Sequence, residues 1–187
     1  MPDYKHPIRS TGPCLPTLAT TFGNTREWAM PERLTREDRR FTVMNVSKNP
    51  EYNDYLVASG PFVNEPIPND AIILRITIAT NVHSATNRAS EEVYWSFYGL
   101  RVDGSEPGLT KNRANYVTIV STNYASEAYD ISSYTPDEWG FPGLTGAQIK
   151  DPTFGLALRF RSTNDLVIVS MDFVSFTVFW VSPDVDG

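Results

Sequence analysis

From residue 40 onward, apolar and polar positions alternate with a period of two. Phe41, Val43 and Asn45 alternate with Thr42, Met44 and Val46. Over 71–81, Ile72, Leu74, Ile76 and Ile78 share one parity while Ile73, Arg75, Thr77 and Ala79 share the other, as in a half-buried strand. The run Val93-Tyr94-Trp95-Ser96-Phe97-Tyr98 is apolar on both parities and predicts a central strand or one covered on both faces. An Asp103-Gly104 step then gives a turn signal, and 115–122 and 128–131 read as further strands. Phe154, Leu156, Leu158 and Phe160 alternate with Arg159 and Arg161, and a polar turn at 162–165 leads into a long run over 166–181. Within that run Val167, Val169, Met171 and Phe173 hold one parity and Val174, Phe176, Val178 and Trp180 the other. This phase slip predicts a bulge or bend at 170–173. One non-β piece, 144–150, has the spacing of a single helical turn with Thr145 as its cap. Short strands at close intervals with one helical turn predict an all-β, antiparallel β-sandwich over 40–182, followed by a short tail at 183–187.

The first 39 residues break this pattern. Nine of the 14 prolines lie at or before residue 68, and proline removes a ladder donor and fixes φ. Residues 1–39 therefore read as an extended, irregular N-terminal arm whose one helical candidate is 31–39. Charge divides at the same place. Seven basic and five acidic residues make 1–40 a +2 stretch, which leaves −8 on the remainder and −6 in total. A slightly basic, proline-rich arm on an acidic domain suits docking across another subunit; folding back on its own domain is the alternative. Trp28, Phe22 and the arginines Arg26, Arg33, Arg36, Arg39 and Arg40 are the candidate interface residues, since Trp and Arg are favoured where contacts are fully desolvated.

Composition narrows the chemistry. A single cysteine, Cys14, excludes a disulfide framework within the chain and a cysteine-built zinc site. An acidic total argues against sequence-independent nucleic-acid binding. The first residues hold no apolar stretch of about 7–15, which reads as synthesis in a cytoplasm, and no run approaches a membrane span. His6 and His83 have no ligand or triad spacing and read as surface histidines. Asp103, Ser105 and Glu106 form an Asp-Gly-Ser turn of a kind that occurs widely without calcium. Cys14 lies between prolines with no neighbouring base and reads as inert. No catalytic residue, metal site or cofactor is expected. Among the aromatics, Trp95 and Trp180 fall on core parities, while Tyr124, Tyr129 and Tyr134 lie near turns and are the candidates for glycan contact.

One stretch is more specific. It reads Trp139-Gly140-Phe141-Pro142-Gly143-Leu144-Thr145, then Ile149-Lys150-Asp151-Pro152-Thr153-Phe154-Gly155-Leu156, and closes on Met171-Asp172-Phe173-Val174-Ser175-Phe176-Thr177-Val178-Phe179-Trp180. Asp151-Pro152 stops the helical turn, and Gly155 permits close backbone approach where Phe154 enters the core. Asp172, among apolar residues, must accept hydrogen bonds if it is buried. This stretch resembles the C-terminal motif of jelly-roll-like β-sandwich modules in tailed-bacteriophage virion proteins and some bacterial surface proteins. The resemblance covers about 40 residues, 139–180. It implies an assembly or binding module rather than a catalyst: a capsid decoration or cement protein located in the virion. Expected partners are the major capsid protein or other virion subunits, and a homo-oligomer, a trimer by preference, with neither nucleic acid nor membrane bound. The alternative is a tail or collar component, or a carbohydrate-binding module that contacts a host surface.

Overall fold

The period-two segments pair into two antiparallel sheets packed face to face. The computed structural model describes residues 7–23, 26–46, 48, 53–85, 91–100, 109–113, 119–121, 126–139, 142–162 and 167–183. The first sheet contains β1 (Arg9–Ser10), β3 (Thr42–Val46), β5 (Ile72–Ala85), β9 (Ser126–Tyr134) and β11 (Val167–Val181), ordered β1-β11-β5-β9 with β3 also on β11. The second contains β2 (Leu18–Phe22), β4 (Tyr55–Ser59), β6 (Glu91–Leu100), β7 (Leu109–Arg113), β8 (Ile119–Ser121) and β10 (Gly155–Ser162), ordered β2-β4-β10-β6-β7 with β8 also on β6. The protein is a jelly-roll-like antiparallel β-sandwich. The run at 93–98 is interior to its sheet, between β10 on one side and β7 and β8 on the other, the central position that was one of its two expected placements.

Facing residues of the two sheets make the core. Ile76, Ile78, Val174, Phe176 and Val178 from the first sheet meet Leu56, Leu156, Leu158 and Phe160 from the second, all buried. Phe62 stands against Phe154 at 6.3 Å and Phe176 at 6.2 Å between ring centroids, an aromatic cluster that closes one part of the interior. The helical turn appears as α2 (Gly146–Ile149), following α1 (Pro136–Trp139), a turn that periodicity did not reveal. Thr145 caps α2: its hydroxyl accepts from the Gln148 N–H while Gln148 Oε1 accepts from the Thr145 N–H at 2.9 Å, a capping box.

Two departures from the simple alternation matter. The slip expected at 170–173 is present: β11 pairs Met171 with Val82 and Phe173 with Asn81, so Asp172 is bulged out of the ladder. A second irregularity lies at the other end, where Phe179 pairs with Arg75 but Trp180 pairs with Ile73, leaving Leu74 unmatched. Hence Ile72 does not share the inner face of Ile76 and Ile78; it is exposed, and Ile73 is buried in its place. A run of three consecutive isoleucine and leucine residues, Ile72 to Leu74, carries no polar marker to show such a slip.

The proline-dense segment is not irregular throughout. Prolines there bound short strands instead of excluding them: β1 lies between Pro7 and Pro13, and β2 begins after Pro16. The helical candidate at 31–39 contracts to a 3-10 turn over Pro31–Thr35, entered through Met30 in the left-handed region. Cys14 bonds in both directions to Phe176, N–H to carbonyl at 2.8 Å each way. Its thiol is buried, and that desolvation pushes its pKa up to about 11, with the Thr11 side chain opposing and Glu65 adding to the rise. At pH 8 only about one thiol in a thousand would then be ionised, so native protein should react with a disulfide reagent far more slowly than urea-unfolded protein. Equal rates in the two states would show that Cys14 is not held in this site.

Candidate functional site

The N-terminal segment and the bulge together build the surface of interest. Residues 9–14 run along the free edge of β11: Arg9 and Ser10 pair with Trp180 and Phe179, Thr11 N–H donates to the Val178 carbonyl, and Cys14 follows at Phe176. At Thr17 the chain crosses to the second sheet, where β2 pairs with β4 along its whole length. It then returns to the first sheet through Ala29, which exchanges both backbone bonds with Val43. The segment therefore crosses from one sheet to the other and back, and covers edges that would otherwise offer unpaired N–H and C=O groups.

This path sorts the arm residues by depth. Trp28 is 3% exposed, packed edge-on to Phe160 at 5.3 Å, with its indole N–H donating to the Asp54 carbonyl at 3.2 Å. It anchors the segment on its own domain. Phe22 lies on the outer side of β2, partly exposed and 6.4 Å from the Tyr55 ring. Arg26 and Arg33 donate to the carbonyls of Asn45 and Phe41. Arg36, Arg39 and Arg40 are exposed, and Arg40 lies 3.9 Å from Asp38. The outer face of the segment also carries Ile8, Leu18 and Met30, which are 60%, 55% and 42% exposed.

Tyr134, at the end of β9 opposite Ile76, is half-buried and packs on the core instead of standing clear at a turn. Tyr129 occupies the β9 position opposite Asn81. Tyr124, His6, Asp103, Ser105 and Glu106, with the turn at Asp103-Gly104 and that at 163–165, lie outside the described residues.

A concave site lies where the 36–41 segment passes over the β11 bulge. Glu37, Arg39, Phe41, Asn81, His83, Asp172 and Phe173 line a cavity of about 450 Å³, within the roughly 300–1,000 Å³ usual for ligand pockets. Asp172 is 4% exposed and reaches the cavity because the bulge turns it out of the ladder. The Arg39 backbone N–H hydrogen-bonds its carboxyl, and Arg39 holds a left-handed φ of 59° where it does so. Burial raises the Asp172 pKa above the ordinary carboxylate range; the Arg39 bond opposes this, Asp38 and Glu37 add to the rise, and His83 opposes it. His83 is half-buried, with the Phe41 ring edge-on at 4.8 Å, and is thus a wall of this cavity and not a surface histidine. Sequence reading missed the site as a unit, because residues 37, 83 and 172 meet only in the folded chain. The one signal was the phase slip with a carboxylate inside it.

No protein-family model matches the chain, and no characterised protein matches it by sequence. Solved structures to which the chain is similar include the CBM22-1 xylan-binding domain from Paenibacillus barcinonensis Xyn10C, at 11% identity and a TM-score of 0.40 over 89% of this chain and 87% of that one. They also include a T13 particle of infectious bursal disease virus, at 10% identity and a TM-score of 0.42 over 93% of this chain and 31% of that one. The VP2 subviral particle of the same virus gives 9% identity and a TM-score of 0.39, over 93% of this chain and 33% of that one. The chain thus spans about a third of the viral proteins and most of the xylan-binding domain, and the likeness to each is loose.

Proposed function

We propose that the protein is a non-enzymatic structural subunit of a tailed-phage particle, a capsid decoration or cement protein that docks on neighbouring virion subunits through its N-terminal segment. One observation carries the reading. Of the seven exposed large apolar side chains among the described residues, four (Ile8, Leu18, Phe22 and Met30) lie on that segment, which backbone pairing to both sheets holds in place. Apolar side chains on backbone that is already ordered lose little conformational entropy on docking, so their burial is retained as affinity. The resemblance of 139–180 to phage virion modules agrees with this use. The buried thiol of Cys14, raised well above physiological pH, is unsuited to nucleophilic catalysis.

Particle binding is tested with point changes, since deleting the segment would also remove Trp28 from the core. Ile8→Lys combined with Leu18→Lys alters only exposed positions, where lysine on a strand edge is well tolerated. Co-sedimentation with particles of the virus that carries the gene should fall about tenfold or more, with the circular-dichroism spectrum and melting temperature unchanged. Undiminished co-sedimentation would defeat the proposal, as would a hydrolase or transferase activity lost in His83→Ala.

A further inference from the structure

We infer that the cavity under the 36–41 segment is a binding site for a guanidinium group, held by the Asp172 carboxylate between the rings of Phe41 and Phe173. The inference is independent of the docking proposal. Its first ground is an unmet acceptor. Asp172 is 4% exposed, and its Oδ1 is fully buried with no hydrogen-bond partner among the described residues, while its carboxyl otherwise takes the Arg39 N–H. A buried carboxylate oxygen left so is costly, and a ligand that donates to it recovers that cost.

The charge around Asp172 selects the ligand's sign. Glu37 and Asp38, on the covering segment, both push Asp172 toward its neutral form, which is the effect of a negative local field. Arg39 hydrogen-bonds it through its backbone and also lines the cavity, Arg40 lies beside Asp38, and His83 on β5 favours the carboxylate, which leaves Glu37 and Asp172 facing Arg39. A cation relieves the repulsion among Asp172, Glu37 and Asp38. The lining then selects among cations. Two aromatic rings and a carboxylate suit a planar, weakly hydrated guanidinium, which stacks on rings and forks onto carboxylates, better than a compact ammonium. The cavity's volume also leaves room for the attached alkyl chain.

Two histidines in the whole chain make their imidazole proton signals simple to follow by NMR. Titrating the full chain with ethylguanidinium at pH 7.5 should shift the His83 signals saturably, with half-saturation on the order of 1–10 mM. Ethylurea, the neutral isostere, should not. Asp172→Asn should weaken binding about tenfold or more and Glu37→Gln about two- to threefold. Asp172→Asn should not lower the melting temperature at pH 7, because burial disfavours the charge it removes; this separates a binding role from a structural one. Because the Asp172 pKa is raised, affinity should fall with decreasing pH sooner than for an ordinary carboxylate. Tighter binding of an acetylated Gly-Arg-Gly amide than of ethylguanidinium would identify a neighbouring chain's arginine as the source, and equal binding a free alkylguanidine. No saturable shift up to about 100 mM, an equal response to ethylurea, or wild-type affinity in Asp172→Asn would each overturn the inference.

Discussion

Trp28→Ala should destabilise the isolated domain by about 3–5 kcal/mol, the usual cost of emptying a buried aromatic site. The reason is where the N-terminal segment lies. Its indole is buried against Phe160 and donates to the Asp54 carbonyl, in contact with the second sheet of its own domain. For a chain of this size that loss corresponds to a melting-temperature drop of about 6–20 °C. Trp28→Phe keeps most of the apolar area and removes only the N–H donor, so it should cost about 1–3 kcal/mol. Urea unfolding of monomeric protein measures both. A Trp28→Ala domain with wild-type stability that had lost association with other subunits would mean that the indole anchors in trans.

The second large effect is expected at Gly155. A Cβ there would sit 2.7 Å from the Ser59 Cα and 2.9 Å from the Ala58 carbonyl carbon, and would overlap the Ala58 carbonyl oxygen. These are backbone atoms of β4, which is paired with β10 on one side and β2 on the other, so no side chain can swing away to make room. Gly155→Ala must part the two strands where Gly155 pairs with Ser59, at a cost of about 3 kcal/mol or more. Gly12→Ala is the control, since nothing lies within 4 Å of its added methyl and its effect should stay within about 0.5 kcal/mol. If the two variants unfold at the same urea concentration, the close approach of β10 to β4 is not what Gly155 serves.

Much of the sandwich was legible in the sequence wherever one face is buried and the other is not. Phe154, Leu156, Leu158 and Phe160 alternate because each second residue of β10 meets the core, and the slip of parity in β11 located its bulge. Thr145 and Gln148 form a cap through contacts three residues apart, so local sequence suffices to predict that turn. Leu74 was illegible for the opposite reason: a bulge inside a run of isoleucine and leucine changes no residue type.

The sequence by itself determined which residues must be hidden, but its prolines read as excluding strands from 1–39, where they only bound short ones. It could not determine what an edge is paired with. A two-residue strand at Arg9–Ser10 has no signature of its own; it exists because the outer edge of β11 supplies a partner. Whether Trp28 would anchor on its own domain or on another chain was equally open, because an apolar side chain specifies burial and not against whom. Tertiary structure decided that point for the described residues. It also brought the 36–41 segment onto the β11 bulge, where Asp172, isolated in sequence, acquires Glu37, His83 and two aromatic walls. Charge and hydrogen-bonding capacity belong to residues, but a site requires their separation in space, which contacts between distant parts of the chain alone determine.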